Sequence, residues 1–285
     1  MASPHFWLTP SNLCASFRRL SSWTWSQLTE AAHLGVSFSE ETVTESLLFK
    51  LAKLHRHDLS IKAYTKAEEG KGTAATGGKP TGADWSFWVV SPRGKGIEIR
   101  LQAKRQFSSG KYESLNGKSQ QINDLWNNRG KAVPLYLFYN GDFAHDKNGA
   151  SWPRWNGCGS CGIRLRGQTA WGCSVTSLRN VWGKIRPYPA ELSQRPWFCL
   201  VCEDCSGARG AIDLPTRMIA LANSMYSADN NAECPDDMKN ADFGDAHEDA
   251  PSWVQLLDSE EGSEAWENFW ANTDLRGVAI IKQIN

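Results

Sequence analysis

An α/β fold, with a mixed central sheet flanked by helices and a Cys-rich subdomain, is what the sequence predicts, on three observations. Ile97, Ile99, Leu101 and Ala103 alternate with Glu98, Arg100, Gln102 and Lys104, the period-two pattern of a strand with one apolar and one polar face. Around that strand the chain reads helix, three strands, helix, strand, an alternation that calls for a sheet covered on both sides. Two cysteine clusters, Cys158–Cys161 and Cys199–Cys205, then mark a region of different character.

Taken in order, residues 12 to 34 carry Leu13, Phe17, Leu20, Trp23, Trp25 and Leu28 at mostly helical spacing and predict a core helix. Ser39 precedes Glu40-Glu41 and an apolar stripe of Val43, Leu47, Leu51 and Leu54, which predicts a capped helix over residues 40–54. Glu41 and Glu45 lie one turn apart on it and can aim a carboxylate at the end of an adjoining sheet; early glutamates also suit the positive end of the helix dipole. Leu59 to Tyr64 predicts a strand. Lys66 to Thr81, rich in Gly, Lys, Thr and Ala, predicts a mobile loop able to wrap a phosphate backbone, but it has no Gly-Lys-Ser/Thr ending of the Walker type. Trp85 to Val90 predicts a second strand, joined to the third by the Pro- and Gly-containing turn 91–96. A helix from Ser119 to Asn128, with Ile122, Leu125 and Trp126 inward, and an apolar strand from Val133 to Tyr139 complete the pattern.

Antiparallel pairing through the 91–96 turn would bring Asp84 beside Gln102 and Lys104. A carboxylate, an amide oxygen and a lysine at one strand end suit a divalent metal such as Mg²⁺ or Mn²⁺, with a cation beside it to polarise phosphate or water. The competing reading is an amphipathic edge hairpin with a solvated charged face.

The formal net charge is zero, but it is unevenly spread. Residues 229–285 hold 14 of the 31 acids and 3 of the 31 bases, so they carry about −11 and the rest of the chain about +11. A basic body favours a polyanionic partner, and a tethered acidic tail would compete for the same surface. No apolar run reaches the roughly 18 residues of a membrane helix, and the N-terminus lacks a secretory pattern, so a cytoplasmic protein with no membrane partner is expected. In that setting the eight cysteines read as ligands or buried thiols. Cys158, Cys161, Cys202 and Cys205 have the knuckle spacing of a structural zinc site, with Cys199 as a substitute. A redox CxxC pair, or core thiols in a 197–202 strand, remain open as alternatives.

Three regions follow: a core over 1–145 with the N-terminal helices, a Cys-rich region over 146–227 that completes the fold, and an acidic linker with a final helix and strand over 228–285. The last region offers Trp253, Leu256, Leu257, Trp266, Phe269 and Trp270 for burial and a strand near Val278–Ile281.

The element order, with an acid on the first helix, an Asp at the second strand and Gln-x-Lys on the third, resembles the PD-(D/E)XK nuclease superfamily. Its Gln-Ala-Lys-Arg ending is similar to the Gln-x-Lys variant of the Mrr-like branch. Glu40-Glu41-Thr42-Val43-Thr44, Thr81-Gly82-Ala83-Asp84-Trp85, Gln102-Ala103-Lys104-Arg105, Gln121-Ile122 and Pro134-Leu135-Tyr136 together resemble an uncharacterised microbial family sharing those blocks. The resemblance covers about residues 12 to 140, and thinner matches follow at Trp171-Gly172-Cys173-Ser174 and Pro196-Trp197. It implies a restriction-endonuclease-like sheet and a metal-dependent endonuclease acting on nucleic acid, DNA above RNA, in host defence or genome maintenance. Residue by residue it implies that Asp84 is the central metal ligand, Gln102 stands where the superfamily more often has an acid, Lys104 is the catalytic lysine, Glu41 is the helix-borne acid, and Gln121 reaches in from the following helix. Gln102 removes one negative charge from the cluster. That keeps a second reading open, a non-catalytic nucleic-acid or protein binding module on the same fold, and a homo-oligomer is compatible with either.

Overall fold

A computed structural model describes residues 10–56, 59–65, 80–153, 167–206, 213–228, 231, 233–249, 251, 254, 275 and 277–283. The helices are α1 (Pro10–His33), α2 (Glu40–Leu54), α3 (Gln120–Asn127), α4 (Leu178–Val181), α5 (Glu203–Ser206), α6 (Leu214–Ala228) and α7 (Asp236–Lys239). The strands are β1 (Leu59–Thr65), β2 (Trp85–Val90), β3 (Lys95–Arg105), β4 (Val133–Tyr139), β5 (Cys173–Ser177), β6 (Arg195–Pro196), β7 (Glu248–Asp249) and β8 (Gly277–Gln283). Seven of them form one mixed sheet in the order β1-β8-β2-β3-β4-β5-β6, and the two-residue β7 pairs with the start of β3.

The local signals act as expected at most elements. Ser39 caps α2, its hydroxyl accepting from the Thr42 N–H at 3.2 Å. The β2–β3 hairpin pairs Ser86 with Arg100 and Trp88 with Glu98, as the 91–96 turn demands. The four-residue alternation of β3 gives way in β4 to seven consecutive buried residues, because β4 lies between two strands and under helices on both sides. Leu54 departs from the expected apolar stripe and is 53% exposed, since α2 ends there and the chain turns away. The 197–200 segment is a buried 3-10 turn, not a strand; its Trp197 indole donates to the Phe17 carbonyl at 2.8 Å and its ring lies 4.3 Å from that of Phe17 on α1.

Register assigns the two faces of the sheet. Ala103 faces Leu137 and Val175 across β3, β4 and β5, and Arg105 faces Tyr139. α2 covers this side, where Thr44 and Tyr139 share a hydrogen bond between hydroxyls. On the other side Gln102 faces Tyr136 and Thr176, and Lys104 faces Phe138 and Ser174. α3 covers that side through the Arg100 guanidinium, which donates to the Asn128 carbonyl at 2.5 Å, and α6 covers it through Tyr226, whose hydroxyl donates to the Pro134 carbonyl at 2.8 Å.

The C-terminal region corrects the picture of a detachable acidic tail. Its last strand, β8, runs antiparallel to β1 and parallel to β2, with Val278 to Ile281 buried. Gly277 admits the Trp85 ring where a Cβ would stand. A continuous apolar run is stable only with neighbours on both edges and both faces, so this segment closes the sheet and does not float over the body. Deleting residues from Ala228 onward would therefore remove an interior strand, and truncation cannot report on competition by a tail. Trp253, Leu256, Leu257, Trp266, Phe269 and Trp270 lie outside the described residues.

Candidate functional site

The block Thr81-Gly82-Ala83-Asp84 has a physical reason. Gly82 has φ of +69°, and a Cβ there would strike the Gln121 carbonyl at the first turn of α3. That close approach seats the strand start against the helix and turns Asp84 toward β3. The Asp84 N–H donates to the Leu101 carbonyl at 2.9 Å, which places Asp84 directly across from Gln102 on the face covered by α3.

There the Asp84 Oδ2 accepts two hydrogen bonds, one from the Gln102 Nε2 and one from the Ala103 N–H at 3.0 Å. The carboxylate thereby fixes the Gln102 amide. Its Nε2 is committed, and its Oε1 is buried with no hydrogen-bond partner. A buried carbonyl oxygen without a donor is unfavourable by about 1–3 kcal/mol, so such an atom in a well-ordered strand calls for an explanation. Lys104, two residues on and on the same face, is half-buried and makes no ion pair or hydrogen bond among the described residues. Tyr136, the register partner of Gln102, is fully buried; burial pushes its hydroxyl well above the usual tyrosine range, and the Asp84 charge pushes the same way.

The Glu40 Oε1 accepts from the Arg105 N–H at 3.2 Å, so Glu40 reaches the end of β3. Glu41 is half-buried on the next position of α2, about 100° further round the helix. Adjacent glutamates cannot be told apart by spacing alone, because the packing rotation of the helix decides which one meets the sheet. Gln121 is half-buried on the first turn of α3, and its carbonyl abuts Gly82, two residues before Asp84. Asp84, Gln102 and Lys104 are thus gathered at one strand end, with Gln121 beside them and Glu40 at the tip of the strand.

The residues fit a hard cation in donor chemistry. A carboxylate and an unpartnered amide oxygen are oxygen ligands of the kind Mg²⁺ or Mn²⁺ takes, although no group of three or more His, Cys, Asp or Glu side chains stands together among the described residues. For zinc, Cys158 and Cys161 lie outside the described residues. Cys202 is buried and Cys205 half-buried, at the start and within α5, and Cys199 is packed in the core. Cys173 is an inert thiol on the α1 side of the sheet: burial pushes its pKa up to about 12, and its Sγ donates to the Thr24 hydroxyl at 3.2 Å.

A polar cluster that the sequence did not reveal shares the Gln102 face. The Tyr112 hydroxyl donates to the Asn140 Oδ1 at 2.7 Å; the Asn140 Nδ2 donates to the Trp171 carbonyl at 2.6 Å and the Ser174 hydroxyl at 3.0 Å; Ser174 and Tyr112 both meet Gln194. Burial drives the Tyr112 hydroxyl far above its normal range despite these partners, so it remains a donor. The only advance signal was Ser174 within a short block; Asn140 and Gln194 carried none.

The structure thus defines a mixed α/β protein whose central sheet ends in a carboxylate–amide–lysine site. The chain belongs to DUF6615, a family of unknown function, whose model matches residues 13–284. No curated protein and no solved structure matches it.

Proposed function

We propose that this chain is a metal-dependent nuclease that hydrolyses phosphodiester bonds of nucleic acid, with DNA as the expected substrate, on a restriction-endonuclease-like sheet. The observation that carries the reading is the buried Gln102 Oε1, held in place by Asp84 and without a partner among the described residues, two residues from a Lys104 ammonium that is likewise unpaired among them. Asp84 and Gln102 would hold Mg²⁺ or Mn²⁺, which when bound offsets charge on the scissile phosphate and lowers the pKa of water. Asp84 orients the amide and supplies the negative charge that the glutamine lacks. The Lys104 ammonium, with no carboxylate partner among the described residues, would orient the attacking water or steady the pentacoordinate phosphorane through charge-assisted hydrogen bonds. Glu40 holds the backbone at the end of β3 and so keeps Lys104 at a fixed height on the strand.

The test is cleavage of plasmid DNA, linear DNA and RNA with Mg²⁺, with Mn²⁺ and with chelator, by the wild type and by Asp84→Ala and Lys104→Ala. Metal-dependent cleavage lost in both variants supports the reading. Equal cleavage by all three proteins removes the site assignment, and no cleavage by any protein, with duplex binding intact, supports a binding module on this fold. The enclosure of Gln102, which is fully buried, is the observation that favours that second reading.

A structural zinc on Cys158, Cys161, Cys202 and Cys205 is part of the proposal. Elemental analysis of protein prepared without chelators should find about one zinc per chain, lost together with thermal stability in Cys161→Ser. Zinc-free wild-type protein would leave Cys202 and Cys205 as ordinary thiols.

A further inference from the structure

Between β3 and α3 the chain makes a loop whose 115–117 segment pairs with the turn at 183–187. The Gly117 N–H donates to the Lys184 carbonyl at 2.7 Å, the Gly183 N–H to the Gly117 carbonyl at 3.1 Å, the Arg186 N–H to the Leu115 carbonyl at 3.0 Å, and the Tyr112 N–H to the Pro187 carbonyl at 3.0 Å. Asn116 and Ile185 form a bridge at the tip. A Cβ at Gly117 would strike the Val181 carbonyl, so the two segments are locked together at close range.

This double turn combines exposed basic side chains with an exposed apolar tip. Ile185 is 56% exposed, and it stands between Lys184 and Arg186. Lys118 is exposed beside it, and Lys111 lies over the Tyr188 ring at 5.0 Å. None of the four cations makes an ion pair among the described residues. The nearby acids are engaged or at the margin: Glu113 accepts from the Ser109 hydroxyl, Glu191 from the Tyr188 N–H, and Glu233 stands against Gly183. Arg186 has φ of +47°, the one non-glycine residue with positive φ among the described residues, and Pro187 after it narrows its choices further. An L side chain holds that conformation only where the surroundings impose it, and such outliers concentrate where a side chain must be presented.

The loop of the finger is continuous with the elements of the candidate site. Its loop leaves the sheet from the strand of Lys104 and re-enters at the helix of Gln121, and the Tyr112 ring packs 4.2 Å from Phe138, the register partner of Lys104.

We propose that this turn is a basic finger that grips the phosphate backbone of a nucleic-acid duplex and presses Ile185 into its groove, next to the scissile phosphate. The inference deepens the nuclease reading by naming how that site holds its substrate. The cations supply sequence-independent attraction, and the apolar tip acts as a wedge that unstacks or bends the duplex.

The experiment measures binding of a short fluorescein-labelled duplex in chelator, where no cleavage can occur, across a salt series. Lys118→Ala, Lys184→Ala and Arg186→Gly combined should weaken binding about tenfold or more and lower the salt slope by about 0.9 for each phosphate no longer neutralised. Arg186→Gly relieves the backbone, so its loss of binding cannot be ascribed to strain, and circular dichroism confirms that each variant folds. Ile185→Ala should weaken binding while leaving the slope unchanged. Unchanged affinity and slope in the folded triple variant overturns the finger, as does a loss of binding to anionic vesicles without any loss for duplex. A wild type that binds but never cleaves with metal, and whose binding the variants weaken, leaves the finger standing and sinks the nuclease reading instead.

Discussion

Two buried polar groups share one face of the sheet, and they differ in how completely they are satisfied. The Tyr112–Asn140–Ser174–Gln194 cluster at the β4–β5 side has every side-chain atom paired, whereas at the β2–β3 side Gln102 keeps an oxygen with no partner and Lys104 keeps a charge with none among the described residues. Polar atoms closed on one another rigidify a core, and polar atoms left open next to a fixed carboxylate are poised for something the chain does not itself contain. The contrast explains why the two groups should respond in opposite ways to substitution.

The largest expected effect lies on the open side. Asp84→Ala and Lys104→Ala should each lower metal-dependent cleavage by about 10²–10⁴-fold. The urea midpoint of Lys104→Ala should stay close to that of the wild type, whereas Asp84→Ala, which takes the acceptor from the Gln102 Nε2 and the Ala103 N–H, should also lower it. A large loss of stability in Lys104→Ala would show that the lysine belongs with the structural cluster. On the closed side the order reverses. Asn140→Ala strips partners from Tyr112, Ser174 and the Trp171 carbonyl, at about 1–3 kcal/mol for each group left unpaired, and should lower the urea midpoint clearly. Should Asn140→Ala unfold no more easily than wild type, the cluster would not be the structural member of the pair.

Gln102→Glu sharpens the comparison from the middle. A second carboxylate against Asp84 should lower Tm in chelator and enlarge the rise in Tm on adding Mg²⁺; at a hundredfold excess over Kd a bound cation stabilises the folded state by about 2.7 kcal/mol. Identical melting with and without Mg²⁺ in both proteins would mean that Asp84 and Gln102 hold no cation.

The smallest effect is a pH dependence on the closed side, where the carbonyl of Ala144, next to His145, accepts from the Gln106 Nε2 at 2.9 Å. Burial against Trp152, 4.7 Å away, lowers the His145 pKa, with Asp146 acting the other way. The folded state then binds this proton less readily than the unfolded state, so stability is full above the unfolded value of 6.5 and declines as pH falls through it. His145→Phe should flatten that decline in Tm between neutral pH and about pH 5 and leave cleavage at neutral pH unchanged. A wild-type Tm that rises on acidification over that range would contradict the assignment.

Much of the site was legible because it is written in local patterns. The alternation of β3 set Gln102 and Lys104 on one face, and the Pro- and Gly-containing turn set Asp84 across from them; hairpin register needs only the few residues that make it. Glu40 was not separable from Glu41, since a single residue rotates the helix by about 100° and only the packing of α2 on the sheet fixes that angle. The cluster around Asn140 was invisible for a related reason: its members come from four separate segments, none with a periodic signature, and they meet only when the β4–β5 pair is covered.

By itself, then, the sequence determined α1, α2 and α3 through capping and apolar stripes, β1 to β4 and β8 through period-two or continuous apolar runs, and the Asp84–Gln102–Lys104 hairpin, because each depends on residues near in the chain; α6 and β5 carried no signal that was read. Tertiary structure alone decided that β8 sits between β1 and β2, and that Lys184, Ile185 and Arg186 stand beside the loop of Lys118. Those arrangements close loops of many residues, whose entropic cost depends only weakly on length and on no particular residue, so what selects them is the burial and pairing gained when the distant segments meet.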